Sequence, residues 1–137
     1  MASGKTEDGR RKTQSASAAF RLGHYDLEVW KDAMRLVRLC YEATRSFPQD
    51  EKFGLTSQIR RAAVSVPANI AEGAARGSAA DFKRFLVISR ASLVELDTLI
   101  WLAKDLGLIN RVAALRSQIE RVFARISGLI SSPGRRR

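Results

Sequence analysis

Histidine and cysteine occur once each in the 137 residues, and no uninterrupted apolar run is long enough to cross a bilayer. Each scarcity closes a class of function. One cysteine cannot form an internal disulfide, which suits a reducing compartment such as the cytoplasm. One Cys and one His cannot supply an ordinary zinc site. The Glu-x-x-His pairs of di-iron bundles need histidines on two helices, whereas His24 stands alone near the N-terminus. A membrane span takes about 20 predominantly apolar residues, and residues 1–24 also lack the apolar centre of a signal peptide. Cys40, set among Leu36, Leu39 and Tyr41, reads as a core thiol. Glu72 and Glu95 are the one pair of acids placed for acid–base work, and neither a nucleophile nor a phosphate-binding glycine loop accompanies them. The expectation is a protein without catalytic residues, metal or cofactor.

Positive charge is what the chain has in excess: 24 Lys and Arg against 14 Asp and Glu, a net +10. Lys5, Arg10, Arg11, Lys12, Arg21 and Arg135 to Arg137, against Glu7 and Asp8, carry +6 of it. The remaining +4 lies between Tyr25 and Ile130. Such a chain attracts polyanions through counterion release. Residues 1–24 are small, polar and basic without helical period, and predict a disordered arm. Residues 132–137 predict a basic tail, which leaves 25–131 for a single domain.

Within that domain four helical patterns follow one another, with no alternating strand pattern. The first runs from about Asp26 to Ser46, with Trp30, Met34, Val37, Tyr41 and Thr44 on one face, and Phe47-Pro48 ends it. The second begins between Asp50 and Thr56 and ends near Ala75. Ser78 caps the third, with Asp81 completing a capping-box-like pair, and Gly107 stops it. Asn110 is the expected cap of the fourth, whose Val112, Leu115, Ile119, Val122, Ile126 and Leu129 form a coiled-coil-like seam. Short connections between long amphipathic helices predict an all-α, up-down-up-down antiparallel four-helix bundle.

The third helix has more apolar surface than one bundle can cover. Phe82, Phe85, Leu86, Leu93, Leu96 and Ile100 make an inward stripe. Val87, Val94 and Trp101 make a second, and Ile88, Leu99, Leu102 and Leu106 a third, interrupted by Glu95. A helix apolar all round is normally buried all round, so Val87, Val94, Trp101, Ile88, Leu99 and Leu102 are candidate interface residues of a homo-oligomer.

The second helix contains QIRRAAVSVPANIAEGAAR, Gln58 to Arg76. Leu55, Ile59, Ala62, Val66, Ile70 and Gly73 form its core stripe, with small members that permit close helix approach. Beside it runs a narrow polar line of Gln58, Arg61, Ser65, Asn69, Glu72 and Arg76. Pro67 deprives the Ala63 carbonyl of its helical donor, a group that Ser65, Asn69 or water could satisfy. The line reads as a solvated face, a helix–helix seam or a ligand site. Glu72 and Glu95 are candidate partners of Arg60 or Arg61 in a partly buried network.

Gln58-Ile59-Arg60-Arg61, Ala68-Asn69-Ile70-Ala71-Glu72-Gly73 and Ser92-Leu93-Val94-Glu95 carry a resemblance, as do Leu27-Glu28-Val29-Trp30-Lys31 and Phe47-Pro48. Over Tyr25 to about Ile109 the chain resembles the four-helix-bundle proteins encoded within intervening sequences of bacterial large-subunit ribosomal RNA genes. The resemblance implies a ring-like homopentamer and no established catalytic role. A related branch serves diversity-generating retroelements as a basic accessory protein of their reverse transcriptase.

The turn from Gly73 to Arg84 is the candidate anion site. There a helix N-terminus with Ser78 adjoins Arg76, Lys83 and Arg84. With Arg60 and the terminal Arg135, Arg136 and Arg137, these are the candidate nucleic-acid-binding residues. The expected function is an oligomeric scaffold that binds RNA or DNA with low sequence specificity. The alternatives are an adaptor for another polypeptide, with incidental nucleic-acid affinity, and an enzyme with a closed pocket around Glu72 and Arg76.

Overall fold

The computed structural model describes residues 22–133. They form four helices, α1 (Glu28–Thr44), α2 (Leu55–Ala75), α3 (Ala79–Asp105) and α4 (Ala113–Ser131), and two 3-10 turns, Gly23–Asp26 and Gln49–Glu51. There is no strand among the described residues. Each helix packs on the next, and α4 closes back on α1, while the diagonal pairs α1–α3 and α2–α4 stay apart. Partner residues run in opposite directions across neighbouring helices: Ser65 meets Ser92 while Gly73 meets Phe85. Arg116 likewise meets Asp97 while Lys83 meets Ser132. The architecture is the antiparallel four-helix arrangement that the four patterns predict.

Leu36, Ile59, Ile70, Leu86, Leu93, Leu96, Ile100 and Ile126 are fully buried at its centre. Each such side chain contributes roughly 1.5–3 kcal/mol of burial. The expected core stripe of α2 is buried at every position, as is the seam of α4 from Val112 to Ile126. In α1 only Thr44 of the expected face is fully buried. Its inward face is Val29, Asp32, Ala33, Leu36, Cys40 and Thr44, one residue round from the face of Trp30, Met34, Val37 and Tyr41. The aromatic rings prefer the rim: Trp30 packs edge-on to His24, and Tyr41 lies under the Arg60 guanidinium. His24 therefore belongs to the 3-10 turn that leads into α1 rather than to an arm.

Local signals set the ends. Ser78 Oγ accepts from the Asp81 amide at 3.1 Å, the expected cap of α3. Gly107, at φ 79°, stops that helix in a left-handed conformation that favours glycine. The Leu55 amide donates to Glu51 Oε1 at 3.0 Å, so the turn before α2 fixes its start. Asn110 does not cap α4. Val112 occupies that position, and its hydrocarbon side chain, buried in the core, offers no acceptor to the first turn.

Leu99 also departs from expectation. It is 7% exposed and belongs to the core, whereas Val87, Val94, Trp101, Ile88 and Leu102 are exposed. At ~100° per residue Leu99 lies about 20° nearer the inward stripe than Ile88 and Leu106, and that offset carries it under the bundle edge.

Candidate nucleic-acid interface

The polar line of α2 divides into parts. At its centre Ser65 Oγ and Ser92 Oγ are 2.8 Å apart, joining α2 to α3. Asn69 Nδ2 donates to the carbonyl and hydroxyl of Ser65 at 2.8 and 3.0 Å, and so turns away from the Ala63 carbonyl. Ser89, fully buried on α3, donates to the Val66 carbonyl at 2.9 Å beside Pro67. One turn on, a Cβ at Gly73 would stand 2.6 Å from Phe85 Cβ, so glycine is what lets the backbones meet. Ser65 and Gly73 therefore lie where α2 meets α3, and Asn69 bonds back to Ser65 on its own helix.

The ends of the line face solvent. Gln58, Arg61 and Glu95 border a shallow depression of about 290 Å3 with Ala62. Glu72 pairs with Arg76 at 3.6 Å, with both side chains about half exposed. The expected pairing of Glu72 or Glu95 with Arg60 does not form. Arg60 donates instead to Thr44 Oγ1 at 2.8 Å and stacks 4.4 Å from the Tyr41 ring, on the side of α2 that meets α1. Glu95 lies level with Ala62, ten residues and about 15 Å along α2 from Glu72, too far for a shared proton.

At the N-terminus of α3, Arg76 and Arg84 converge on Phe85, their guanidiniums 4.9 and 5.6 Å from its ring centroid. Arg84 pairs with Asp81 at 2.6 Å, which takes that carboxylate away from the capping box. Lys83 donates to the Ser132 carbonyl at 2.6 Å and serves as a cation at the C-terminus of α4. The charge expected at this turn is thus largely offset: two guanidiniums face two carboxylates, and the lysine is engaged. Arg60 is sixteen residues, about 24 Å along α2, from Arg76, so it joins no common patch with them. Arg135, Arg136 and Arg137 lie outside the described residues.

Sequence reasoning missed the charge with the most ion pairs among the described residues. Asp32, 3% exposed, lies on the inward face of α1. Its carboxylate meets Arg35 at 2.7 Å, Arg121 at 3.2 Å and Arg125 at 2.6 Å, the last two reaching over from α4. Gln118 Nε2 donates to the Asp32 carbonyl at 2.9 Å in the same seam. A usable signal was present, since Asp32 is three residues from both Val29 and Arg35, at a position whose neighbours Ala33 and Leu36 are apolar.

On the opposite side of α4, Arg116 bonds Asp97 at 2.9 Å and lies 5.0 Å from the Trp101 ring. The hydrogen bond to Asp97 raises the Arg116 pKa further above its usual value. Beside it Leu93, Val94, Ile119 and Phe123 line an apolar groove of about 270 Å3. Cys40 is buried, and desolvation pushes its thiol up to about 12, which makes it a poor nucleophile. No cluster of His, Cys, Asp and Glu fit to hold a metal occurs among the described residues, and no helix there is long and apolar enough to cross a membrane.

Antiparallel helices closed by a glycine-and-serine seam, with arginine-rich outer edges, define a small basic all-helical protein. Residues 25–128 match the 23S rRNA-intervening sequence protein family, and the chain belongs to it. No curated protein matches the chain.

Proposed function

We propose that the protein is a non-enzymatic, cytoplasmic scaffold that self-associates through the outer face of α3 and binds RNA or DNA with low sequence specificity. The observation that carries this reading is the exposure of Val87, Ile88, Val94, Trp101 and Leu102, each 41–53% exposed on one helix. Large apolar side chains left exposed in such number on one helix mark an interaction site. The family likeness suggests a ring of five. The net charge of +10 supports a polyanionic partner, and repetition around a ring would multiply each protomer's cations. The lone, unpaired Cys40 agrees with a reducing compartment.

A second reading rests on the groove of Leu93, Val94, Ile119 and Phe123, rimmed by Asp97, Arg116 and Glu120. It suits an apolar side chain of another polypeptide and favours an adaptor, such as an accessory subunit of a nucleic-acid-processing enzyme. Light scattering on the full chain tests self-association: the expected mass is a multiple of 15.2 kDa, reduced to one protomer by Val94→Glu with Trp101→Glu. A wild-type protein found as single copies removes the scaffold. Anisotropy titration with structured RNA and duplex DNA at low salt tests the ligand, and copurification after nuclease treatment separates the adaptor from both.

A further inference from the structure

Among the described residues, the seam between α1 and α4 gathers three arginines on one buried carboxylate. Arg121 and Arg125 reach Asp32 through Nε, so their Nη groups have no acceptor among the described residues. Arg35 uses one Nη for Asp32 Oδ1. The three side chains remain 39–55% exposed although the carboxylate between them is buried. Three guanidiniums against one carboxylate leave a net +2 at this point. Glu28, which borders the same shallow depression as Arg125, is itself paired with Lys31 at 3.4 Å.

We infer that Arg35, Arg121 and Arg125 form a phosphodiester-binding site, with Asp32 as its positioning residue. The inference rests on the nucleic-acid reading above and moves its principal contact away from the start of α3. The shared chemistry is the backbone phosphate of RNA or DNA. An arginine loses about 2 kcal/mol of rotamer freedom when fixed. Here the buried acid already holds Arg121 by a hydrogen bond from Nε and Arg125 by an ion pair, so much of the ordering is not charged to the ligand. Their solvent-facing Nη groups are planar donors matched to phosphate oxygens. Arg121 and Arg125 stand one helical turn apart, with Cβ atoms about 6 Å from each other, so both reach the same strand. Arg76 and Arg84, each with a carboxylate of its own, offer no comparable surplus.

The test compares two variants of the full chain that remove equal charge, Arg121→Gln/Arg125→Gln and Arg76→Gln/Arg84→Gln. Fluorescence anisotropy reads the affinity for single-stranded RNA and for duplex DNA between about 50 and about 200 mM salt. The seam variant is expected to lower the salt slope by roughly two on duplex DNA and somewhat less on a single strand, and the α3 variant by less than one. A loss larger for the seam variant than for the α3 variant, on either nucleic acid, supports the site, and the two arms show which backbone it prefers. Equal losses from both variants overturn it, since net charge alone then explains binding. Wild-type protein that binds neither probe removes the nucleic-acid reading itself, and the site with it. Should the seam variant fail to fold, arginine-specific modification of wild-type protein decides. RNA is expected to protect Arg121 and Arg125 more than Arg84, and the absence of that protection overturns the inference.

Discussion

Along the α2–α3 seam, backbones approach until a hydrogen at Gly73 is all that fits, and serine hydroxyls bond across the gap. Along the α1–α4 seam, a buried carboxylate draws three arginines together, and Gly128 has nothing within 4 Å of the place its Cβ would take. One seam is closed by shape and neutral hydrogen bonds, the other by charge. Close packing is short-ranged and indifferent to salt. A charge-closed seam leaves its outer donors exposed to solvent, so it responds to ionic strength and can serve a ligand.

The two glycines test that contrast most directly. Alanine is favoured over glycine in a helix by about 1 kcal/mol. At Gly128 the space is open, so Gly128→Ala is expected to stabilise by about 0.5–1 kcal/mol in urea unfolding. At Gly73 the new methyl would lie 2.6 Å from Phe85 Cβ, an atom fixed to the α3 backbone. Overpacking of this kind costs about 1–3 kcal/mol or more, and Gly73→Ala is expected to destabilise by about 2 kcal/mol net. Equal stabilisation by both substitutions would show that the α2–α3 seam is looser than its geometry.

Asp32→Asn probes the charged seam. It keeps the shape but replaces an oxygen that accepts from Arg121 with an amide or a neutral carbonyl. Breaking a fully buried ion pair costs about 3–5 kcal/mol. Here the arginines are roughly half exposed and can rehydrate, so about 1–2 kcal/mol is expected. The loss should shrink at about 1 M salt, where the Debye length is about 3 Å, while the Gly73→Ala loss stays constant. Unfolding curves at low and high salt measure both, and a salt-independent Asp32→Asn effect would put that seam in the same class as the other.

How far the sequence could be read follows the same division. Period-based reasoning located the four helices, the core of α2 and the seam of α4, because burial repeats with the helix turn. It placed Gly73 at a close approach for the same reason. It misjudged α1 by one residue because aromatic rings sit at the rim while small Ala33 and Cys40 face inward. It assigned Leu99 to the surface because a 20° offset decides burial at a bundle edge. The basic turn at the start of α3 was legible as a cluster, but its neutralisation by Glu72 and Asp81 was not, since side-chain pairing at i+3 and i+4 is one choice among several. Asp32 escaped because its two partners on α4 are 89 and 93 residues away, across a helix pairing that periodicity does not encode.

The smallest expected effect lies at Ser65 and Ser92. Ser92→Ala removes one interhelical hydrogen bond, and Ser65→Ala removes two, including the one Asn69 makes to the hydroxyl. Net hydrogen bonds contribute about 1 kcal/mol each and less where water reaches the groups, as it does in this half-buried seam. Ser92→Ala is therefore expected to cost about 0.5 kcal/mol and Ser65→Ala about 1 kcal/mol. The double variant should cost less than the sum, leaving a coupling of about 0.5 kcal/mol in a thermodynamic cycle. Strict additivity would mean that each hydroxyl bonds to water rather than to the other. The α2–α3 seam would then be held by core packing, the approach at Gly73 and the buried Ser89 bond, and the contrast with the charged seam would rest on packing more than on bonds between serines.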